Sequence, residues 1–263
     1  MGTGVNIQNI SLSIRHLWLR GVSGKMRNVY KCPIFVVGCS HSGTTLLHRI
    51  IGAHPDVHPI LHETKVFEHG HLASLKGFDL EAFRGGKKRW IEKTPAHIDH
   101  IADIFEARPS GNVVLILRDG RDVAVSIRKR NNRFEAAAKQ WADSNRRSEV
   151  WWKDKRVRVV RYEDLVEKCE AEVASILEFL ELDFSLDCIH YNEKYASSQK
   201  SAPPPESLLV KDNQAYRQWQ VSQPLFDGRG RWKTEMTDDE RRVFKQVAGA
   251  DLIHFEYARD MNW

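Results

Sequence analysis

One junction constrains this chain more than any other. Pro33-Ile-Phe-Val-Val-Gly38 is a short, β-branched apolar run, and Leu46, Leu47, Ile50 and Ile51 form a helical apolar stripe just beyond it. Only the loop Gly38-Cys-Ser-His-Ser-Gly43-Thr44-Thr45 separates them. A continuous apolar run ending in glycine predicts a buried strand, and the stripe predicts a helix that stops near His54-Pro55. A strand, a tight loop and a helix folding back over it are half of a parallel βαβ unit. The loop also carries chemistry. Backbone N–H groups at a helix N-terminus make an anion cradle, to which Thr44 and Thr45 add hydroxyls. The spacing matches the G-x-x-x-x-G of a nucleotide loop, but Thr44 stands where the phosphate-binding Lys is expected. That Lys normally sits on β- and γ-phosphates, so its absence argues against ATP splitting. An ordinary strand–helix turn is the plain alternative.

The rest of the chain repeats the alternation. Trp90-Ile91 before Lys93-Thr94-Pro95, Asn112-Val-Val-Leu-Ile-Leu117 and Arg156-Val-Arg-Val-Val-Arg161 read as strands. Helical spacing follows at 96–107, 119–130, 134–152 and 162–182, and Thr237 with Glu240 opens a last helix through a capping box. The expected fold is therefore α/β: a P-loop-like three-layer architecture with a central parallel sheet flanked by helices. Residues 183–235 contain Pro203-Pro204-Pro205 and Asp227-Gly-Arg-Gly, and are expected to form a loop-rich cap. The whole chain, 1–263, is read as one domain with an N-terminal extension at 1–30.

Composition bears on partners. Of 263 residues, 40 are Lys or Arg and 35 Asp or Glu, a formal charge of +5. Between 118 and 133 six basic residues face two acids, so the excess is concentrated rather than spread. Arg118 ends a strand, Asp119 is placed to cap the following helix, and Asp122, Ser126 and Arg130 share one helix face. Arg118, Ser126 and Arg130 are candidates for a second phosphate site through charge-assisted hydrogen bonds. A solvated basic helix face is the alternative. Nucleic-acid binding would favour a continuous basic stripe with interleaved aromatics, which is not the pattern. No run approaches the roughly 18 apolar residues of a membrane span. Four cysteines without C-x-x-C spacing, and no signal-peptide h-region, lead to the expectation of a cytoplasmic protein with reduced thiols.

Two phosphate sites at two strand ends resemble the PAPS-dependent sulfotransferase family, whose co-substrate is 3′-phosphoadenylyl sulfate. Its 5′-phosphosulfate loop resembles residues 38–46 and its 3′-phosphate motif residues 117–130. Tyr162-Glu-Asp-Leu165 and Gly230-Arg231-Trp232-Lys233 are further matches in family order. Within the family, His54-Pro-Asp-Val followed by His62-Glu63-Thr64-Lys65 is most similar to the tyrosylprotein branch, where a Glu in this segment is the general base. The cytosolic branch uses a His where this chain has Pro95, after Lys93-Thr94.

The resemblance implies a reaction of the EC 2.8.2 class: transfer of the sulfuryl group from PAPS to an acceptor hydroxyl, on a carbohydrate or another biomolecule. Glu63 is the implied base, with His62 and His97 in reserve. Lys93 would neutralise the bridging and leaving oxygens, and the amides of Ser42, Gly43, Thr44 and Thr45 would hold the 5′-phosphate. His41 stands where the family usually has Arg or Lys, and would donate to the sulfate when protonated. Tyr162 would contact adenine, and Arg229 and Arg231 would close over the 3′-phosphate. Seven of 12 histidines fall between 41 and 71, but Pro55 and Pro59 prevent one helix from aligning His54, His58 and His62 for zinc. The sulfuryl group carries less charge than a γ-phosphoryl, so no metal is expected. A P-loop kinase and a non-catalytic nucleotide-binding module are the competing readings.

Overall fold

The computed structural model describes residues 32–196 and 227–263. The N-terminal extension and most of the expected cap, including its Pro-rich stretch, lie outside the described residues. Five strands form one wholly parallel sheet in the order β2-β3-β1-β4-β5. They are β1 (Ile34–Gly38), β2 (Val57–Pro59), β3 (Arg89–Lys93), β4 (Asn112–Leu117) and β5 (Val157–Arg161). The helices are α1 (Thr44–Gly52), α2 (Ser74–Arg84), α3 (Ile101–Ala107), α4 (Gly120–Asn131), α5 (Phe134–Glu149), α6 (Tyr162–Glu167) and α7 (Cys169–Phe179). After them come α8 (Leu186–Ile189), α9 (Tyr191–Ala196), α10 (Trp232–Glu235) and α11 (Asp238–His254), and a 3-10 helix, Pro95–His100, precedes α3.

Strand periodicity sorts the core into layers. Ile34 and Val36 point to one face, where Leu47, Ile50 and Ile51 of α1 pack with Leu165 of α6 and Val173, Ile176 and Leu177 of α7. Phe35 and Val37 point to the other, against Leu75 and Phe78 of α2, Ile101 and Ile104 of α3, and Trp90. All five residues of β1 are buried, as a central strand covered on both faces requires. A third apolar cluster, from α4, α5, α10 and α11, gathers around the fully buried Trp141. The expected three-layer α/β architecture is what the chain adopts.

The elements differ from expectation in detail. The 96–107 helix is divided into the 3-10 turn and α3, while the 162–182 segment forms helices as expected, parted at Lys168, whose φ is −128°. β2 and α2 escape sequence reading. β2 is a three-residue edge strand containing a proline, and α2 buries only Leu75, Phe78 and Ala82. The Thr237–Glu240 capping box is present at the start of α11.

Parallel topology has one consequence for function. All five carboxyl ends, at Gly38, Pro59, Lys93, Leu117 and Arg161, lie along one edge of the sheet. From β1 the chain leaves to β2 on one side, and from β3 it crosses over β1 to β4 on the other. Open α/β sheets bind ligands in the crevice at such a switch point.

Candidate active site

The loop after β1 is built as an anion cradle. Gly43 precedes α1 with φ of +100° and no side chain caps the helix. Leu47 makes the first backward bond, to the Gly43 carbonyl at 3.1 Å, so the amides of Thr44, Thr45 and Leu46 have no intrahelical acceptor. The Ser42 amide instead closes the turn onto the Cys39 carbonyl at 3.1 Å, so the donors of the cradle start after it. The Ser42 hydroxyl is 1% exposed and has no hydrogen-bond partner among the described residues. His41 holds a left-handed backbone, φ +71°, and its Nδ1 lies 2.8 Å from Ser126 Oγ on α4. The first and second candidate anion sites are thereby joined by a hydrogen bond.

Arg118, at the end of β4, is the hub of this corner. Its Nη1 donates to the His41 carbonyl at 3.2 Å and its Nη2 to the Gly228 carbonyl at 2.5 Å, while the guanidinium covers the Tyr162 ring 4.2 Å from its centroid. Tyr162 Oη in turn accepts from the Gly228 amide at 3.2 Å. Burial pushes the Tyr162 hydroxyl up, against the pull of Arg118. A β-carbon at Gly43 would meet that ring at 2.8 Å, so glycine is required there for space as well as for backbone angle. Trp141 Nε1 fixes the Arg118 carbonyl at 2.9 Å. A side chain at Gly120 would strike the same indole.

The segment 228–232 is anchored by Asp122, which accepts from the Gly230 amide at 2.8 Å and the Trp232 amide at 2.9 Å. Burial raises the Asp122 carboxyl above its ordinary range, and the amides and Arg118 hold it back. Arg130 lies one turn beyond Ser126 on the same face of α4. Arg229 pairs with Glu167 at 2.7 Å and Asp227 at 2.9 Å, and Arg231 with Glu235 at 3.0 Å. A phosphate reaching either arginine has to displace a carboxylate. The concentrated charge of 118–133 is likewise partly neutralised. Arg121 binds Asp119 at 2.8 Å, Arg128 binds Glu240, and Lys129 binds Glu235 at 3.0 Å. Those partners at 235 and 240 are remote in sequence, so composition within the window overstates the free charge.

On the other side of β1, Lys93 ends β3 beside Val36 and donates to Glu63 Oε1 at 2.6 Å. The Lys93 side chain is 10% exposed and that of Glu63 28%, so the carboxylate keeps a face towards solvent. His97 does not share that position. It is fully buried, with Nδ1 on Glu92 Oε2 at 3.1 Å, and no acceptor can reach it. His62 is exposed. Two other clustered histidines are engaged elsewhere: His54 with Asp56 and the Asp183 carbonyl, His58 with Glu81. Among the described residues no group of three or more His, Cys, Asp or Glu converges to hold a metal ion. No described helix is long and apolar enough to cross a membrane, and the four cysteines are free thiols.

Most candidate side chains thus stand near a carboxyl end of the sheet or on the segment tied to it, while Arg130 is carried on the last turn of α4. Sequence reading missed three contributors. Glu163 is more than a first-turn acid: it accepts from the Asp119 amide at 3.0 Å and from Tyr257, and burial raises its carboxyl. Asp122 was legible only as a member of a helix face. Glu92, with Thr64 and Thr94, left no signal beyond its place beside Lys93.

Comparison with known proteins bears on the fold and the family. The family model described as "Sulfotransferase family" matches residues 33–84 and 69–185. A Caenorhabditis briggsae protein to which protein-tyrosine sulfotransferase activity is ascribed is 26% identical over 195 residues, 61% of this chain and 69% of that one. Among solved structures, the sulfotransferase domain of the Synechococcus PCC 7002 olefin synthase superposes with a TM-score of 0.56 at 20% identity, covering 82% of this chain and 94% of its own. Mouse sulfotransferase SULT7A1, complexed with PAP, gives 0.57 at 18% identity over 87% and 86%. The fold is theirs, and with the family model matching more than half its length this chain belongs to the sulfotransferase family.

Proposed function

We propose that the chain is a PAPS-dependent sulfotransferase that moves the sulfuryl group to an acceptor hydroxyl, on a carbohydrate or another biomolecule, by in-line displacement. The observation that carries the reading is the Glu63–Lys93 pair, 2.6 Å apart, on the same sheet edge as an uncapped helix start. The residues fit a nucleotide with two phosphate positions. The buried Ser42 hydroxyl, unpartnered among the described residues, and the amides of residues 44–46 suit one anion, and Arg118, Ser126 and Arg130 the second. PAPS, when bound, supplies a sulfuryl group on a good phosphate leaving group. Glu63 takes the proton of the acceptor hydroxyl. Lys93 orients that carboxylate and offers positive charge to the bridging oxygen. His41 is itself a residue of this loop, with its Nδ1 on Ser126, and we assign it as a donor to the sulfuryl group. PAP in the mouse neighbour and the activity ascribed to the nematode relative support this chemistry, and the latter makes a peptide tyrosine an acceptor worth assaying beside glycans. The cytoplasm is the compartment we propose.

Glu63→Gln is expected to lower turnover with PAPS by about 10²–10⁴-fold, the usual contribution of a general base. Its affinity for adenosine 3′,5′-bisphosphate should stay within about twofold. Turnover assays and calorimetry check both, with ATP and magnesium as the comparison. Tight binding of ATP, with a phosphorylated product, would favour the kinase reading instead.

A further inference from the structure

Directly behind Glu63 lies a carboxylate that the reaction does not use. Glu92 precedes Lys93 on β3 and so points to the opposite face of the sheet, where it is completely buried. Its Oε1 accepts from the Thr64 hydroxyl at 2.9 Å and the Thr94 hydroxyl at 2.5 Å, and its Oε2 faces His97 Nδ1 at 3.1 Å. Thr94 Oγ1 also accepts from the amides of Thr64 at 3.0 Å and Lys65 at 3.3 Å. Beyond them, Phe67 packs edge-on against the His97 ring, with centroids 5.0 Å apart. The stretch from 64 to 67 is therefore gripped by a hydroxyl, two amides and a ring, all referred to one buried acid.

Such an arrangement is costly unless it fixes something. A carboxylate removed from water loses its hydration, and hydrogen bonds must replace it. What the network grips is the backbone immediately after Glu63, including Lys65, which holds a left-handed φ of +51°. Left alone, a β2–α2 connection of this length has no sheet pairing to hold it beyond Ile60. We propose that Glu92, Thr64, Thr94 and His97 are positioning residues. They lock the turn that presents Glu63, so that its carboxylate meets Lys93 and the acceptor hydroxyl in one geometry. This inference rests on Glu63 being the general base.

The test uses Thr64, whose hydroxyl can be removed without opening a cavity. Thr64→Val is expected to cut kcat about tenfold or more, as small misplacements at a reacting centre do. KM for PAPS and affinity for adenosine 3′,5′-bisphosphate should stay within about twofold. Thr64→Ser, which keeps the hydroxyl, should return kcat to within about twofold of the parent. In a Glu63→Gln background Thr64→Val should cost nothing more, because both changes act through the same carboxylate. A folded Thr64→Val enzyme with undiminished kcat, or an undiminished further loss in the double variant, overturns the proposal while leaving Glu63 as base. Undiminished turnover of Glu63→Gln overturns both. Glu92→Gln, where it folds, is expected to follow Thr64→Val in direction.

Discussion

At the scale of single residues, the site depends on positions where only one side chain satisfies both backbone and neighbours. Gly43 is the sharpest case. Its φ of +100° is strained for any L-residue, and an added β-carbon would sit 2.8 Å from the Tyr162 ring. That ring in turn holds the Gly228 amide and the Arg118 guanidinium, so displacing it disturbs both anion sites. Gly43→Ala should therefore destabilise the protein by about 1–3 kcal/mol and weaken adenosine 3′,5′-bisphosphate binding about tenfold. Gly77 is the internal control. It lies exposed within α2, with nothing near an added β-carbon, and Gly77→Ala should stabilise by about 0.5–1 kcal/mol without touching affinity. Thermal melts and calorimetry on the two variants check the pair. Equal stability losses in both would show that Gly43 is an ordinary helix-start glycine.

At the scale of elements, the site is an agreement between β4, α4 and a segment more than 100 residues later in the chain. Asp122 on α4 takes the amides of Gly230 and Trp232, and Arg118 takes the carbonyl of Gly228. Asp122→Ala would leave two partly buried donors unpaired, a cost of about 1–3 kcal/mol. The expected result is a new protease-sensitive point near residue 228, found by fragment mass, and about tenfold weaker nucleotide binding. Unchanged cleavage would mean that Arg118 and Tyr162 suffice to seat the segment. Elements also show what sequence makes legible. β1, β4 and their following helices announce themselves, because a central strand buried on both faces must be apolar throughout. β2 does not, since an edge strand of three residues with a proline carries no periodicity. Family resemblance supplied separate roles for Glu63 and Lys93, and their contact was not foreseen. The two residues are 30 positions apart, and no local pattern tells which strand ends will be neighbours. Ion pairs such as Arg128–Glu240 were hidden for the same reason, so a basic window looked freer than it is.

At the scale of the whole molecule, the layer that carries the phosphate loop also sets its response to acid. His48 lies on the inner face of α1, fully enclosed between that helix and the sheet. Burial, followed by the nearby positive charges of Lys93 and Arg49, pushes it down to about 3 from an ordinary 6.5, with the carbonyls of Ile60 and Ile91 opposing weakly. Folded protein thus holds His48 neutral through a range in which the unfolded chain binds the proton. A depressed folded value means stability that is complete above about 6.5 and falls as pH drops towards about 3. Within that window this one site contributes up to about 1.4 kcal/mol per pH unit, the slope for a single proton. Lys93 is also the partner of Glu63, so protonating His48 places a third charge beside the ion pair. His48→Gln keeps a polar side chain of similar size but cannot titrate. Denaturant unfolding from pH 7 to pH 4 should show the variant less stable at neutrality yet less sensitive to acid, its slope shallower by about one proton. Parallel pH profiles would assign the acid sensitivity to other groups and leave His48 a packing residue of α1.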